Sequence, residues 1–117
     1  ESISSHPNVA EVAVVGVADN LKGQVAMAFA ILKDTSLIET PEQRRAHEAD
    51  VMRVVDNQLG AVARPARVHF VTALPKTRSG KLLRRSIRAL CEGQDPGDLT
   101  TIEDPSALEQ ILAAVRG

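Results

Sequence analysis

The chain has 117 residues, a length that suits one compact domain, and 44% of them are hydrophobic, as is usual for globular proteins. The net charge of −1 argues against non-specific nucleic-acid binding, and one cysteine excludes a disulfide framework or a cysteine-rich metal site. With no apolar run long enough to span a bilayer and no signal-peptide pattern, we expect a cytoplasmic protein with no membrane partner.

The first third of the chain predicts a pair of strands. Residues 1–5 are typical of a helix end that His6-Pro7 stops. Residues 9–17 form a nearly unbroken apolar, β-branched run, which predicts a buried strand. Residues 18–23 have turn chemistry, and residues 24–32 alternate in the two-residue period of a second strand. The two strands are expected to pair antiparallel and to be covered on both sides.

The second strand is expected to have two unlike faces. Its large side chains point one way, toward the main core, and its small ones point the other way, where a helix can pack closely. The large set is Val25, Met27, Phe29 and Ile31, and the small set is Ala26, Ala28 and Ala30.

A helix is predicted after the polar loop at residues 33–40. Thr40 suits its N-cap, and the proline that follows suits its first position. The helix is expected to continue to about Leu59, with Met52 and Val55 on its apolar stripe, and to end at Gly60.

The last third of the chain predicts one more strand and two helices. Residues 67–71 read as a short strand, followed by a basic loop at 74–80. Helices are expected at 81–91 and 105–115, joined by the acidic loop 92–104. The order β-β-α-β-α-α predicts an α+β domain over residues 1–117, in which a small sheet of about three strands is flanked by helices.

Positive charge is concentrated in one segment. Six of the 14 basic residues, and none of the 15 acidic ones, fall between residues 76 and 88. The predicted helix, with Ser79 as its cap, would place Lys81 and Arg84 at an N-terminus that favours anions by about 0.3–1 kcal/mol per group. Such an arrangement indicates a binding site for phosphate or carboxylate. A solvated basic face is the alternative reading, and a nucleic-acid or partner-binding module using the basic helix is another.

The remaining polar candidates are interpreted as structural. His6, His47 and His69 are scattered without ligand spacing, so no metal site is expected. His69 is interpreted as a packing residue in a strand. Cys91 ends a predicted helix and is interpreted as inert.

The segment LPKTRSGKLLRR at residues 74–85 closely resembles a signature of the acyl-adenylate-forming enzymes. Residues 59–65 and 68–71 resemble the neighbouring motif of that family more loosely, without its usual aromatic residue, and residues 5–17 and 19–23 are also similar. The stretch from Cys91 to Pro105 resembles the acetyl- and propionyl-CoA synthetases, and is closer to the propionyl type.

This resemblance implies a C-terminal lid domain of an AMP-forming acyl-CoA synthetase, with its N-terminal domain as partner. Such an enzyme converts a short-chain carboxylate, ATP and CoA, with Mg²⁺, to acyl-CoA, AMP and pyrophosphate by way of acyl-AMP. Propionate–CoA ligase activity is the first expectation and acetate–CoA ligase activity the alternative. The isolated domain is expected to be inactive and to bind none of these molecules by itself.

The resemblance also assigns roles to single residues. Lys81 is the implied catalytic residue, and Ser79, Gly80 and Arg84 are the implied substrate-binding residues. Lys81 is further expected to be a target of a protein acyltransferase and deacylase, because acylation removes its charge. Arg84, Arg85 and Arg88 are expected either to meet phosphates or acids of the large domain or to face solvent.

Overall fold

Three strands form one mixed sheet at the centre of the computed structural model, which describes residues 6–19, 23–59, 65–97 and 99–116. Strand β1 (Val9–Asp19) pairs antiparallel with β2 (Gly23–Leu32). Strand β3 (Arg67–Phe70) pairs with the other side of β2 in parallel, so the strand order is β1-β2-β3. The predicted antiparallel pair and the predicted third strand are therefore confirmed. The direction of β3 is set by a helical crossover, which a parallel connection requires.

Four helical segments accompany the sheet in the described part of the chain. They are a 3₁₀ turn (Thr35–Ile38), α1 (Pro41–Leu59), α2 (Arg84–Cys91) and α3 (Ser106–Arg116). The α+β class, the extent of α1 and the terminal helix are confirmed. The predictions for residues 1–5 and for Gly60 fall outside the described residues.

The prediction of a polar loop at residues 33–40 is wrong in part, because Thr35–Ile38 form the 3₁₀ turn. Asp34 caps this turn by accepting the Ser36 N–H at 2.9 Å, and Ile38 is buried beneath it. Two adjacent apolar residues, Leu37 and Ile38, form no periodic pattern that would reveal which of them is buried. Ile38 nevertheless anchors the connection between β2 and α1 to the core.

The start of α1 is held by reciprocal side-chain and backbone hydrogen bonds. The Gln43 N–H donates to Thr40 Oγ1 at 3.1 Å, and Gln43 Oε1 accepts the N–H groups of Glu39 and Thr40 at 3.0 Å each. This is a capping box, which satisfies backbone donors that the helix itself cannot. The predicted cap at Thr40 is confirmed.

The two faces of β2 bury different helices, as their side-chain sizes predict. On the alanine face, Ala28 and Ala30 pack in one cluster with Val51 and Val55 of α1. On the opposite face, Phe29 packs in a second cluster with residues of β1, α2 and α3, and Val25, Met27 and Ile31 pack at its margin. Small side chains let α1 approach the sheet closely, and the large ones fill the wider space under two helices.

The outer edge of β3 is covered by side chains of two helices. The Val68 N–H donates to Glu48 Oε2 of α1 at 2.8 Å, and the same carboxylate binds Arg67 at 2.9 Å. Just beyond the strand, the Thr72 N–H donates to Gln110 Oε1 of α3 at 2.7 Å. Side chains thus take backbone donors at an edge where no described strand pairs.

Two of the three histidines, which lie far apart in the sequence, are in contact in the fold. The rings of His6 and His47 pack edge to face with centroids 5.2 Å apart. His6 Nε2 donates to Asp50 Oδ2 at 2.7 Å, and Asn8 donates to His47 Nε2 at 3.2 Å. His69 is separate and stacks on Phe29, which confirms its packing role.

Neither metal-binding clusters nor membrane-spanning helices are found among the described residues. No group of three or more histidine, cysteine, aspartate or glutamate side chains comes together there in a way that could hold a metal ion. Within the same ranges, each helix is too short or too polar to cross a bilayer.

Replacing Phe29 with alanine should destabilise the domain by about 3–5 kcal/mol, because it leaves a cavity in a fully buried position. Urea denaturation of the purified chain, followed by circular dichroism, measures the change. Leu37→Ala is the control, since that side chain is 48% exposed, and it should shift the free energy of unfolding by no more than about 0.5 kcal/mol. Equal effects of the two substitutions would contradict the assigned core.

The stability of the domain should fall as the pH drops from about 7 to about 5. Burial, and secondarily the neighbouring His6, hold the pKa of His47 below its ordinary value. The unfolded chain therefore binds more protons than the folded domain once the pH passes below the unfolded pKa of about 6.5. Urea denaturation across this range measures the slope.

His47→Gln should reduce this pH dependence without abolishing it, because burial also lowers the pKa of His69. Asp50 does not interfere, since its hydrogen bond from His6 lowers its pKa and its titration falls at more acidic pH. An unchanged slope in the variant would show that His47 is not a source of the effect.

Candidate active site

Residues 76–82 form a tight hairpin, here named the lysine hairpin. Lys76 and Leu82 form an antiparallel bridge, and the Thr77 N–H donates to the Lys81 carbonyl at 2.8 Å. Between them, the Gly80 N–H donates to the Thr77 carbonyl at 2.8 Å and closes the turn. Lys81 therefore lies on the returning arm of a hairpin, and its position is set by backbone hydrogen bonds.

The helix predicted from residue 81 begins three residues later, at Arg84, and the predicted cap at Ser79 is wrong. Leu83 occupies the N-cap position and makes no side-chain cap, while Ser79 Oγ contacts Thr77 Oγ1 at 2.9 Å. The physical reason is that the Gly80 and Lys81 N–H groups are used inside the hairpin. Of the two basic residues expected at the helix start, Arg84 stands there and Lys81 lies before it, in the hairpin.

Gly80 makes the turn sterically accessible. Its φ of +92° lies in the left-handed region, which side chains with a Cβ rarely adopt. Apart from Gly80 itself and its two chain neighbours, no described residue comes within 4 Å of the place where a Cβ would stand, so the requirement for glycine comes from backbone conformation. The Ser79-Gly80 pair therefore marks a turn and not the start of a helix.

Thr77 is a site residue that the sequence reasoning missed. Its Oγ1 accepts the Lys81 N–H at 3.0 Å and also contacts the Ser79 hydroxyl. Backbone and side chain of Thr77 thus both hold Lys81. A β-branched residue two positions before a Ser-Gly pair is a hairpin signal that could have indicated this arrangement.

The Lys81 side chain is exposed and has no ion-pair partner among the described residues. Lys76 differs, because it forms an ion pair with Glu11 of β1. Arg88 is likewise neutralised by Glu92, with the Nε and Oε2 atoms 3.3 Å apart. The basic segment therefore contains structural cations as well as unpaired ones.

Arg78, Arg84 and Arg85 are also exposed and form no ion pair within the described ranges. Arg84 and Arg85 stand in the first turn of α2, where the helix dipole adds to their positive field. The opposite side of the helix is anchored by Ile87, which is fully buried. The result is a positively charged surface on a firmly packed support.

Residues 78–81 of the lysine hairpin are exposed. Two surface cavities, of about 490 and 420 Å³, lie along α1, and Lys81 lines neither of them. Cys91, the single cysteine of the sequence, lies at the end of α2 and is half-buried. Burial and the neighbouring Glu92 raise the pKa of its thiol to about 11, in keeping with an inert residue. The arrangement can deliver a cation to an anion, but it encloses no substrate by itself.

The chain matches one family profile and the sequences of known synthetases. The family profile described as AMP-binding enzyme C-terminal domain matches residues 1–81. A propionate–CoA ligase from Salmonella typhimurium is 62% identical over 98% of this chain, and an acetyl-coenzyme A synthetase from Pyrobaculum aerophilum is 45% identical over 97%. The chain spans only 18% and 16% of the lengths of these two relatives.

Solved structures with the same fold include two synthetases. A Brucella canis acyl-CoA synthetase superposes with a TM-score of 0.56 at 40% identity, over 69% of this chain and 14% of that one. An acetoacetyl-CoA synthetase from Streptomyces lividans gives a TM-score of 0.70 over 98% of this chain and 17% of that one; at 18% identity it supports the fold alone. The resemblance carried by residues 74–85 is confirmed, and the chain belongs to the AMP-binding enzyme C-terminal domain family.

Proposed function

We propose that residues 1–117 are the C-terminal lid domain of an AMP-forming propionate–CoA ligase. The observation that carries the proposal is the exposed Lys81 side chain, held by its backbone on a hairpin and left without a counter-ion in the described part of the chain. Similarity to propionate–CoA ligase, higher than similarity to acetyl-coenzyme A synthetase, favours propionate as the carboxylate.

The first half-reaction joins the carboxylate to the α-phosphate of ATP and releases pyrophosphate. Two anions must approach each other, and the Lys81 ammonium offsets their repulsion and stabilises the charge that develops in the transition state. A lysine suits this task because it is a compact point charge on a long stem. The rigid backbone of the lysine hairpin supports that long stem at its base.

The neighbouring residues receive supporting roles. Gly80 presents no side chain and is exposed, so the backbone at the turn can come close to a substrate. Ser79 shapes that turn through Thr77 and offers an exposed hydroxyl to the bound molecule. Arg84, unpaired in the described ranges, would bind a phosphate of the substrate or an acid of the large domain.

The remaining components belong to the full-length enzyme. We place the carboxylate, ATP and CoA sites chiefly in the N-terminal domain, because residues 78–81 of the lysine hairpin are exposed and line neither of the two cavities described above. Mg²⁺ would be held by the ATP phosphates and that domain, since the described residues bring no three metal ligands together. We also propose a cytoplasmic location, where ATP and CoA are available and a free thiol such as Cys91 stays reduced.

Lys81→Ala in the full-length enzyme should slow acyl-AMP formation by on the order of 10²–10³-fold, the loss typical of one preorganised electrostatic group. Propionate-dependent exchange of pyrophosphate into ATP measures this step. The same variant, supplied with propionyl-AMP and CoA, should form thioester at a near-normal rate, because the ammonium is needed where carboxylate and phosphate meet.

The charge-conserving Lys81→Arg variant is the control for charge alone. It should not restore the first step, because a planar guanidinium cannot replace a point charge in a tight site. Equal losses in both half-reactions would make Lys81 a folding or docking residue. Faster turnover of acetate than of propionate by the wild-type enzyme would favour the acetate–CoA ligase alternative.

Lys81 should also be acylated by a protein acyltransferase and restored by a deacylase. Its side chain is exposed on the returning arm of the lysine hairpin, so a modifying enzyme can reach it, and acylation would remove the charge on which the first half-reaction depends. Mass spectrometry of the protein from cells that lack deacylases should find acetyl- or propionyl-Lys81. Lys76, held in an ion pair with Glu11, is the internal comparison and should carry less modification. An unmodified Lys81 in those cells would refute this proposal.

A further inference from the structure

A segment between α2 and α3 pairs with the lysine hairpin and adds a third extended segment to it. Residues 101–103, here named the tail strand, lie beside the arm of the hairpin that does not carry Lys81. Ile102 and Thr77 form an antiparallel bridge. On one side of this bridge the Arg78 N–H donates to the Thr101 carbonyl at 3.1 Å, and on the other the Glu103 N–H donates to the Lys76 carbonyl at 2.9 Å.

The tail strand is itself anchored at both ends and in its middle. Ile102 is 7% exposed, and its N–H donates to the Leu99 carbonyl at 3.2 Å. At the other end, Asp104 Oδ1 accepts both the N–H and the hydroxyl of Ser106, at 3.0 and 2.8 Å, and so caps α3. A segment fixed between a buried side chain and a capped helix can act as a rigid support.

The connection from the tail strand to Lys81 passes through Thr77. On one edge, Thr77 faces Ile102. On the other edge, the Thr77 N–H donates to the Lys81 carbonyl, and Thr77 Oγ1 accepts the Lys81 N–H. A two-stranded hairpin alone is marginally stable in water, and a third strand gives it lasting order. The matched family profile ends at residue 81, so the tail strand lies outside the motif that contains the lysine.

We propose that the tail strand positions Lys81 for the acyl-AMP-forming step. This inference rests on the proposed function of Lys81 and adds a second part of the chain to it. The tail strand touches no reacting atom. It reduces the freedom of the hairpin from which the ammonium is presented, and a displacement of about 1 Å in a catalytic group can cost 10²-fold in rate.

Glu103→Pro in the full-length enzyme tests the proposal, because proline removes the N–H that binds the Lys76 carbonyl. We expect propionate-dependent pyrophosphate exchange to fall by about ten-fold, since the hairpin loses one of its lateral bonds. Thioester formation from propionyl-AMP and CoA should stay within about two-fold of the wild-type rate. Amide hydrogen exchange at Thr77 and Lys81 should become faster, which reports the loosened hairpin directly.

Glu103→Ala is the matched control. It keeps the backbone donor and removes a carboxylate that is exposed and makes no bond to any other described residue, so exchange activity should change by less than about two-fold. Ile102→Ala is the second variant, and it should reproduce the selective loss by weakening the buried anchor. Ile102→Ala therefore keeps the proposal testable if the proline variant fails to fold.

A double variant separates positioning from general damage. If the tail strand acts through Lys81, Lys81→Ala combined with Glu103→Pro should be no slower in exchange than Lys81→Ala alone. A further drop in the double variant, equal losses in both half-reactions, or full exchange activity in Glu103→Pro and Ile102→Ala would each overturn the proposal. Full exchange activity in Lys81→Ala would instead overturn the proposed function, so the two failures are distinguishable.

Discussion

The fold depends on the alternation of side chains along β2, which gives one strand two different surfaces. Ala28 and Ala30 let α1 pack closely on one side, while Phe29 fills the wider space under α2 and α3 on the other. Because the side-chain period of a strand is two, a shift of one residue in its pairing would exchange these surfaces and spoil both contacts. The position of α2, and with it the basic surface, follows from this register.

The basic surface is formed by Arg78, Lys81, Arg84 and Arg85, and these residues differ in role from the residues that stabilise the same segment. Ile87 holds α2 against the second cluster, and Lys76 is neutralised by Glu11, so these parts of the basic segment serve the fold. Lys81 and Arg84 remain unpaired in the described ranges and add little to stability. A surface that concentrates like charges on a well-packed support is suited to meeting an anion that another surface brings to it.

Sequence periodicity was sufficient for the strands, the two-faced β2 and the long helix, because each repeats a pattern over many residues. It was insufficient for the lysine hairpin, where seven residues contain a glycine, a serine and basic groups that also suit a helix start. The Ser79-Gly80 pair is a local turn signal that competes with the helix-start signal, whereas the contacts from Thr101 and Glu103 to the hairpin are long-range, and no local pattern encodes them. The contact between His6 and His47, 41 positions apart in the chain, was missed for the same reason.

The covering of β3 has a consequence for the behaviour of the domain among other proteins. An open strand edge is a template for pairing with another chain, and it invites intermolecular sheet growth. Glu48 and Gln110 occupy backbone donors at and just beyond this edge, and Glu48 adds a charge that an incoming strand would have to displace. The domain can therefore expose this side of its sheet to solvent without seeding aggregation.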